Sequence, residues 1–244
     1  MTNICAQRVV GTREDNVLPF TYVREAIQRK DSEEALRLLN SGYLVPFEER
    51  GLGTLQQIIL DCPNPKLIDA VIEKMDLHRI NDLDSSGDNA LMTAAKCNNI
   101  SVIKRLVEAR ADVNFYNSFH QTALYQVVQR AVMQTNQFPA TTVIATIHCL
   151  LGCGASMEIP DKFGKTPIRA HVYLKDYKPN IITYLVSEGA EPPYKDVKVR
   201  LQNQALPILA AIQAGLEQRK KAMSIALTSQ CFPLELLNLI NKYV

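Results

Sequence analysis

The chain has 244 residues, with 27 Lys and Arg against 25 Asp and Glu, a formal charge of +2 and 47% apolar residues. That balance excludes a polyelectrolyte: cations are interleaved with carboxylates, the densest basic run (219–221) reads as a solvated helix face, and neither nucleic acid nor an anionic membrane is called for. No stretch approaches the roughly 18 uninterrupted apolar residues of a membrane span, no Sec-type leader pattern is visible, and six scattered cysteines point to a reducing, cytoplasmic setting rather than a disulfide scaffold or a zinc site.

In chain order, residues 1–19 are an N-terminal segment. From Phe20, "FTYVREAIQRKDSEEALRLLNSG" holds two apolar helical patterns closed by Asn-Ser-Gly, a first unit over 20–50. A second, over 53–83, has a Cys-Pro-Asn-Pro hinge. The third, over 84–116, is the most regular. Ala90, Leu91, Ala94 and Ala95 share one helical face, two Asn break the pattern, and Val102, Ile103, Leu106 and Val107 resume it. The unit then recurs. "HQTALYQVV" from His120 matches "GDNALMTAA" from Gly87 at a step of 33 residues, and "GKTPIRAHV" from Gly164 matches after a step of 44. These open the fourth and fifth units, over 117–160 and 161–192. A lone pair of short helices buries too little apolar surface to offset its ordering entropy, so the units are expected to stack.

The residue choices fit that expectation. Thr166 is placed to cap a helix, Pro167 suits its first position, Gly164 suits a positive φ in the preceding turn, and Gly154 and Gly189 suit left-handed helix ends. His120 stands where Gly87 and Gly164 stand, so a left-handed or exposed conformation is expected there. The fourth unit carries about eleven extra residues around 129–142, lengthening its first helix or the loop that follows. In the fifth unit His171 replaces a small residue of the first helix and is expected to be a core-edge histidine bonded to a backbone carbonyl. His148, Cys149 and Cys153 fall close together, yet the cysteines lie on the apolar face and read as packing. His78 stands alone. Beyond the repeats, 193–244 is a helical region: Leu206, Leu209, Ala210 and 212–216 form one helix, and 223–227 begin another or continue it.

Self-similarity at this period, with Thr166-Pro167-Ile168 as the best-matching opening, resembles the ankyrin repeat. The resemblance implies an all-α ankyrin-repeat solenoid of about five helix pairs with C-terminal capping helices. It also implies protein binding through two surfaces. One is the row of turn tips, with Asp84, Ser85, Asp88, Asn117, Phe119, Asp161, Phe163 and Lys165. The other is the outward side of the first helices, with Met92, Lys96, Tyr125, Gln129 and Arg169. Aromatics and Arg are the usual interface anchors, which singles out Phe119, Tyr125, Phe163 and Arg169; for Phe119 and Phe163, packing against the neighbouring turn is an equal alternative. The end of the chain, "CFPLELLNLINKYV" over 231–244, resembles the opening of an F-box and the tails that follow ankyrin repeats in poxvirus and intracellular-bacterial proteins. That second resemblance implies docking on a Skp-type adaptor through Pro233, Leu236, Leu237 and Ile240, and an effector acting in a host-cell cytoplasm. The alternative is a plain cap on the stack, which every such array requires. No nucleophile elbow, phosphate loop or metal-binding helix motif is present. The expectation is a non-enzymatic protein with no cofactor and no metal, whose partner is another protein.

Overall fold

The computed structural model describes residues 19–42, 53–61, 63–74, 79–131, 139–193 and 205–229. The expected N-terminal segment through residue 18, His78, and the F-box-like stretch with Pro233, Leu236, Leu237 and Ile240 lie outside them. Among the described residues there are eleven helices and no strand: α1 (Pro19–Gln28), α2 (Ser32–Asn40), α3 (Thr54–Asp61), α4 (Pro65–Lys74), α5 (Ala90–Lys96), α6 (Ile100–Glu108), α7 (Ala123–Arg130), α8 (Ala140–Gly152), α9 (Pro167–Val172), α10 (Pro179–Ser187) and α11 (Ala205–Ser229).

The helices form two layers. α1, α3, α5, α7 and α9 pack in succession as one, and α2, α4, α6, α8 and α10 as the other; each first helix packs on the second helix that follows it. Side-chain size explains the division. α5 buries every residue from Ala90 to Ala95, three of them alanines that let α3 and α7 approach from either side, whereas α6 sends Val102, Ile103 and Leu106 inward to fill the space between layers. α4 and α10 repeat the second pattern with Leu67, Ile68 and Val71, and with Ile181, Ile182, Leu185 and Val186.

Local chemistry sets the ends of the helices. Asn89 and Thr122 accept the amides of Met92 and Tyr125 as N-caps. Thr166, expected to do the same, makes no side-chain cap bond; Pro167, at the first helical positions, instead has no amide to satisfy. Gly154 and Gly189 end α8 and α10 at φ +91° and +110°, as their place in the repeat requires.

The extra length of the fourth unit does not enlarge its first helix. α7 has eight residues and α5 seven, but α8 has 13 where α6 has nine, so one added turn extends the start of the second helix and the remainder lies between the two helices. After the fifth pair, the two C-terminal apolar patterns form one continuous helix. α11 packs along α10, where Thr183 Oγ1 donates to the Ala211 carbonyl at 3.1 Å.

Candidate protein-binding surface

Three turns share one construction. In each, a short polar side chain folds back on its own loop: Asp84 Oδ1 accepts the amides of Ser86 and Asp88, Asn117 Oδ1 those of Phe119 and Gln121, and Asp161 Oδ1 those of Phe163 and Lys165, all at 2.8 to 3.0 Å. The three amides Asp84, Asn117 and Asp161 donate in turn to the carbonyls of Asp88, Gln121 and Lys165. The tightest position is left-handed in every copy, with Gly87 at φ +78°, His120 at +57° and Gly164 at +74°. His120 thus adopts the conformation its alignment with glycine predicted.

This construction corrects part of the expected contact surface. Asp84, Asn117 and Asp161 are buried, spending their oxygens on the loop, and cannot meet a partner. Asp88 is buried too, holding Gln126 Nε2 at 2.6 Å on one oxygen and pairing with Lys96 on the other. Met92 and Tyr125, expected on an outward face, are almost wholly buried, because their helices are flanked on both sides within the first layer. The Tyr125 hydroxyl reaches into the next unit and donates to Asp161 Oδ2 at 2.6 Å. Burial, then the Asp161 carboxylate, push the Tyr125 phenol well up. Burial alone would raise the Asp161 carboxyl; the bonds from Tyr125, Lys165 and Phe163 outweigh it and hold the group below its ordinary value. Arg169, the counterpart of Met92 and Tyr125 on α9, stays half-buried, since α9 ends the layer and the following helix packs on α10.

The family model described as "Ankyrin repeat" matches residues 86–118, from the tip of the third unit through α5 and α6 to the tip of the fourth. No curated protein matches the chain. The architecture is an all-α ankyrin-repeat solenoid. Ankyrin repeats generally mediate protein–protein interaction, so a contact surface on this solenoid is to be sought among residues that its own packing leaves in solvent.

Those residues gather on the tips of the fourth and fifth ankyrin units. Phe119 is 46% exposed and Phe163 74%, although both stand on loops locked from below by Asn117 and Asp161. Lys162 lies between them, its ammonium 4.1 Å from the centre of the Phe119 ring and 5.2 Å from that of Phe163. Its amide donates to the Phe119 carbonyl at 3.0 Å, tying one tip to the next. Tyr116, half-exposed and stacked on His120 at 4.5 Å, extends the patch on one side. On the other, Lys165 sits 4.0 Å above the Tyr173 ring and Arg169 donates to the Gly164 carbonyl at 3.4 Å. Lys96 and Gln129, at the helix ends behind the tips, are half-buried.

Tyr116 and Lys162 were not foreseen as contact residues. The signal was available: each directly precedes or follows a buried turn-closing residue, Asn117 or Asp161, and so is lifted outward.

The remaining candidate chemistry is accounted for by packing. His171 is fully buried; Nδ1 meets the Val128 carbonyl at 2.9 Å and Nε2 accepts the Lys178 amide at 2.9 Å, which requires a neutral ring with its proton on Nδ1. Desolvation pulls its pKa down to about 4 despite those bonds. His148 pairs with the Tyr184 hydroxyl at 2.9 Å. Burial pushes the Cys97 and Cys149 thiols up, away from the reactive thiolate. Among the described residues no group of three or more His, Cys, Asp or Glu is placed to hold a metal, and no helix is long and apolar enough to cross a membrane.

Proposed function

We propose that this chain is a non-enzymatic protein-binding scaffold that captures its partner on the tips of the fourth and fifth units, with Phe119 and Phe163 as anchors and Lys96, Gln129, Lys165 and Arg169 at the border. One observation carries this reading: two large aromatic side chains are held in solvent on loops whose own polar groups are internally satisfied. An aromatic fixed in the open loses little conformational entropy when it is covered, which suits an anchor. A cytoplasmic, reducing setting belongs to the same reading and rests on the scattered cysteines of the sequence.

The test is co-purification with the full chain, identification of what is retained, and reconstitution with the purified protein found. Replacing Phe119 and Phe163 together by Ala should abolish the reconstituted complex while leaving the thermal midpoint in place. A complex that survives the double change would remove the tips from the interface.

A second reading, an adaptor that recruits ubiquitin machinery for a pathogen effector, depends on Pro233, Leu236, Leu237 and Ile240. It is supported by the sequence of 231–244, and by the fact that α11 already covers α10, so that the cap of the stack does not require those residues. Loss of binding to a purified Skp-type adaptor in a chain ending before residue 230, with folding retained, is the outcome that this reading demands.

A further inference from the structure

We infer that the tips of the fourth and fifth units recognise an acidic segment of the partner, one that presents carboxylates beside an apolar side chain. The inference rests on the protein-binding reading above and adds the chemistry of what is bound.

Lys162 and Lys165 project from the fifth tip, and neither is joined to a carboxylate among the described residues. The acid nearest in sequence, Asp161, is turned inward: both of its oxygens are taken, one by the amides of Phe163 and Lys165 and the other by the Tyr125 hydroxyl. Lys165 remains within electrostatic reach of that carboxylate but forms no ion pair with it, and Lys162 is paired with no carboxylate among the described residues. Each is instead held against an aromatic ring, Lys162 between Phe119 and Phe163 and Lys165 over Tyr173. A ring face attracts an ammonium without neutralising it, so the group is positioned while its charge remains available.

Shape points the same way. Phe163, the most exposed large apolar side chain among the described residues, stands next to Lys162 and invites an apolar contact at the same point. The third tip is different. Asp82 there is paired with Arg79, and the loop offers Ser86 where the later tips offer Phe119 and Phe163, and Ser85 where the fifth offers Lys162. The cationic and aromatic character is confined to two neighbouring tips tied by the Lys162 amide. An extended chain segment crossing them meets the exposed aromatic rings and two positive charges together, and acidic residues flanking one apolar residue complement that order.

The experiment selects displayed random peptides on the immobilised full chain and then measures synthetic versions of the enriched sequences. Enrichment of Asp and Glu around an apolar residue is expected, with affinity that falls as salt rises. Lys162→Glu and Phe163→Ala should each weaken the selected peptides by roughly tenfold or more, whereas Lys162→Arg should retain binding. Lys162→Gln serves as a second charge-removing variant, and circular dichroism checks that every variant is folded. Enrichment of neutral or basic peptides, no enrichment at all, or acidic peptides indifferent to both substitutions would each overturn the inference. The scaffold reading is judged separately. A reconstituted partner that needs Phe119 and Phe163 but binds equally well to the Lys162→Glu chain would leave that reading standing and remove the acidic segment.

Discussion

At the scale of single residues, polar side chains that look like surface chemistry in the sequence are largely joints between units. Tyr125 bonds Asp161, Gln126 bonds Asp88, Gln56 Nε2 reaches the Asp88 carbonyl, and His171 reaches the Val128 carbonyl, each across 32 to 43 positions of chain. Repeat spacing shows which residues are equivalent; it does not show that an equivalent position on an inner helix is roofed by the next unit. That is why Met92 and Tyr125 read as exposed and are buried, while the carbonyl partner expected for His171 is found. His171 also carries a pH prediction. Its folded pKa, about 4, lies below the ordinary 6.5, so the native state resists a proton that the unfolded chain accepts. Its contribution is complete above about pH 6.5 and is lost as pH falls toward 4, a total on the order of 3 kcal/mol at about 1.4 kcal/mol per pH unit. Urea unfolding of the native chain and of His171→Gln, measured across that window, should show the native chain losing stability faster by about that amount. Parallel profiles would mean that His171 is hydrated and titrates normally.

At the scale of elements, periodicity made the helix pairs legible, because two apolar helical patterns broken by a short polar hinge recur along the chain, most regularly in the third unit, where small residues of α5 face branched ones of α6. Less visible were ends that lack the usual residue. The second helices of the first, fourth and fifth units are followed by Gly42, Gly154 and Gly189 at φ +95°, +91° and +110°; in the third, Arg110 takes that place at φ +67°. A side chain there is crowded against the following carbonyl. Arg110 is exposed, and no ion pair joins it to a carboxylate among the described residues. Arg110→Gly should stabilise the chain by about 0.5–1 kcal/mol, the relief of backbone strain exceeding the added entropy of the unfolded glycine. Chemical denaturation is the direct measure, and a variant no more stable than the native chain would show that the loop already accommodates Arg. The extra residues of the fourth unit, expected in its first helix or in the loop that follows, fall in part at the start of α8, which begins one turn earlier than α6 does in its own unit, and otherwise between α7 and α8.

At the scale of the whole molecule, stability is a sum over neighbouring pairs, and the array is weakest where a pair has a neighbour on one side only. α10 would be such an end without α11. The contact between them is close at one residue: a Cβ built on Gly215 would lie 2.5 Å from the Thr183 carbonyl oxygen and 2.7 Å from Val186 Cβ. Backbone and a buried branched carbon cannot yield as a flexible side chain would, so any larger residue must lift α11 from α10. Gly215 is therefore the point at which the C-terminal helix is committed to being a lid. Gly215→Val should cost roughly 1–3 kcal/mol by overpacking and should loosen the array from that end. Amide exchange distinguishes this from uniform destabilisation: protection should fall first in α10, whose Thr183 and Val186 lie against α11, and last in α5 and α6, which keep neighbours on both sides. If α10 kept its protection while the chain as a whole lost stability, α11 would not be acting as the cap, and the end of the stack would have to be held by something else.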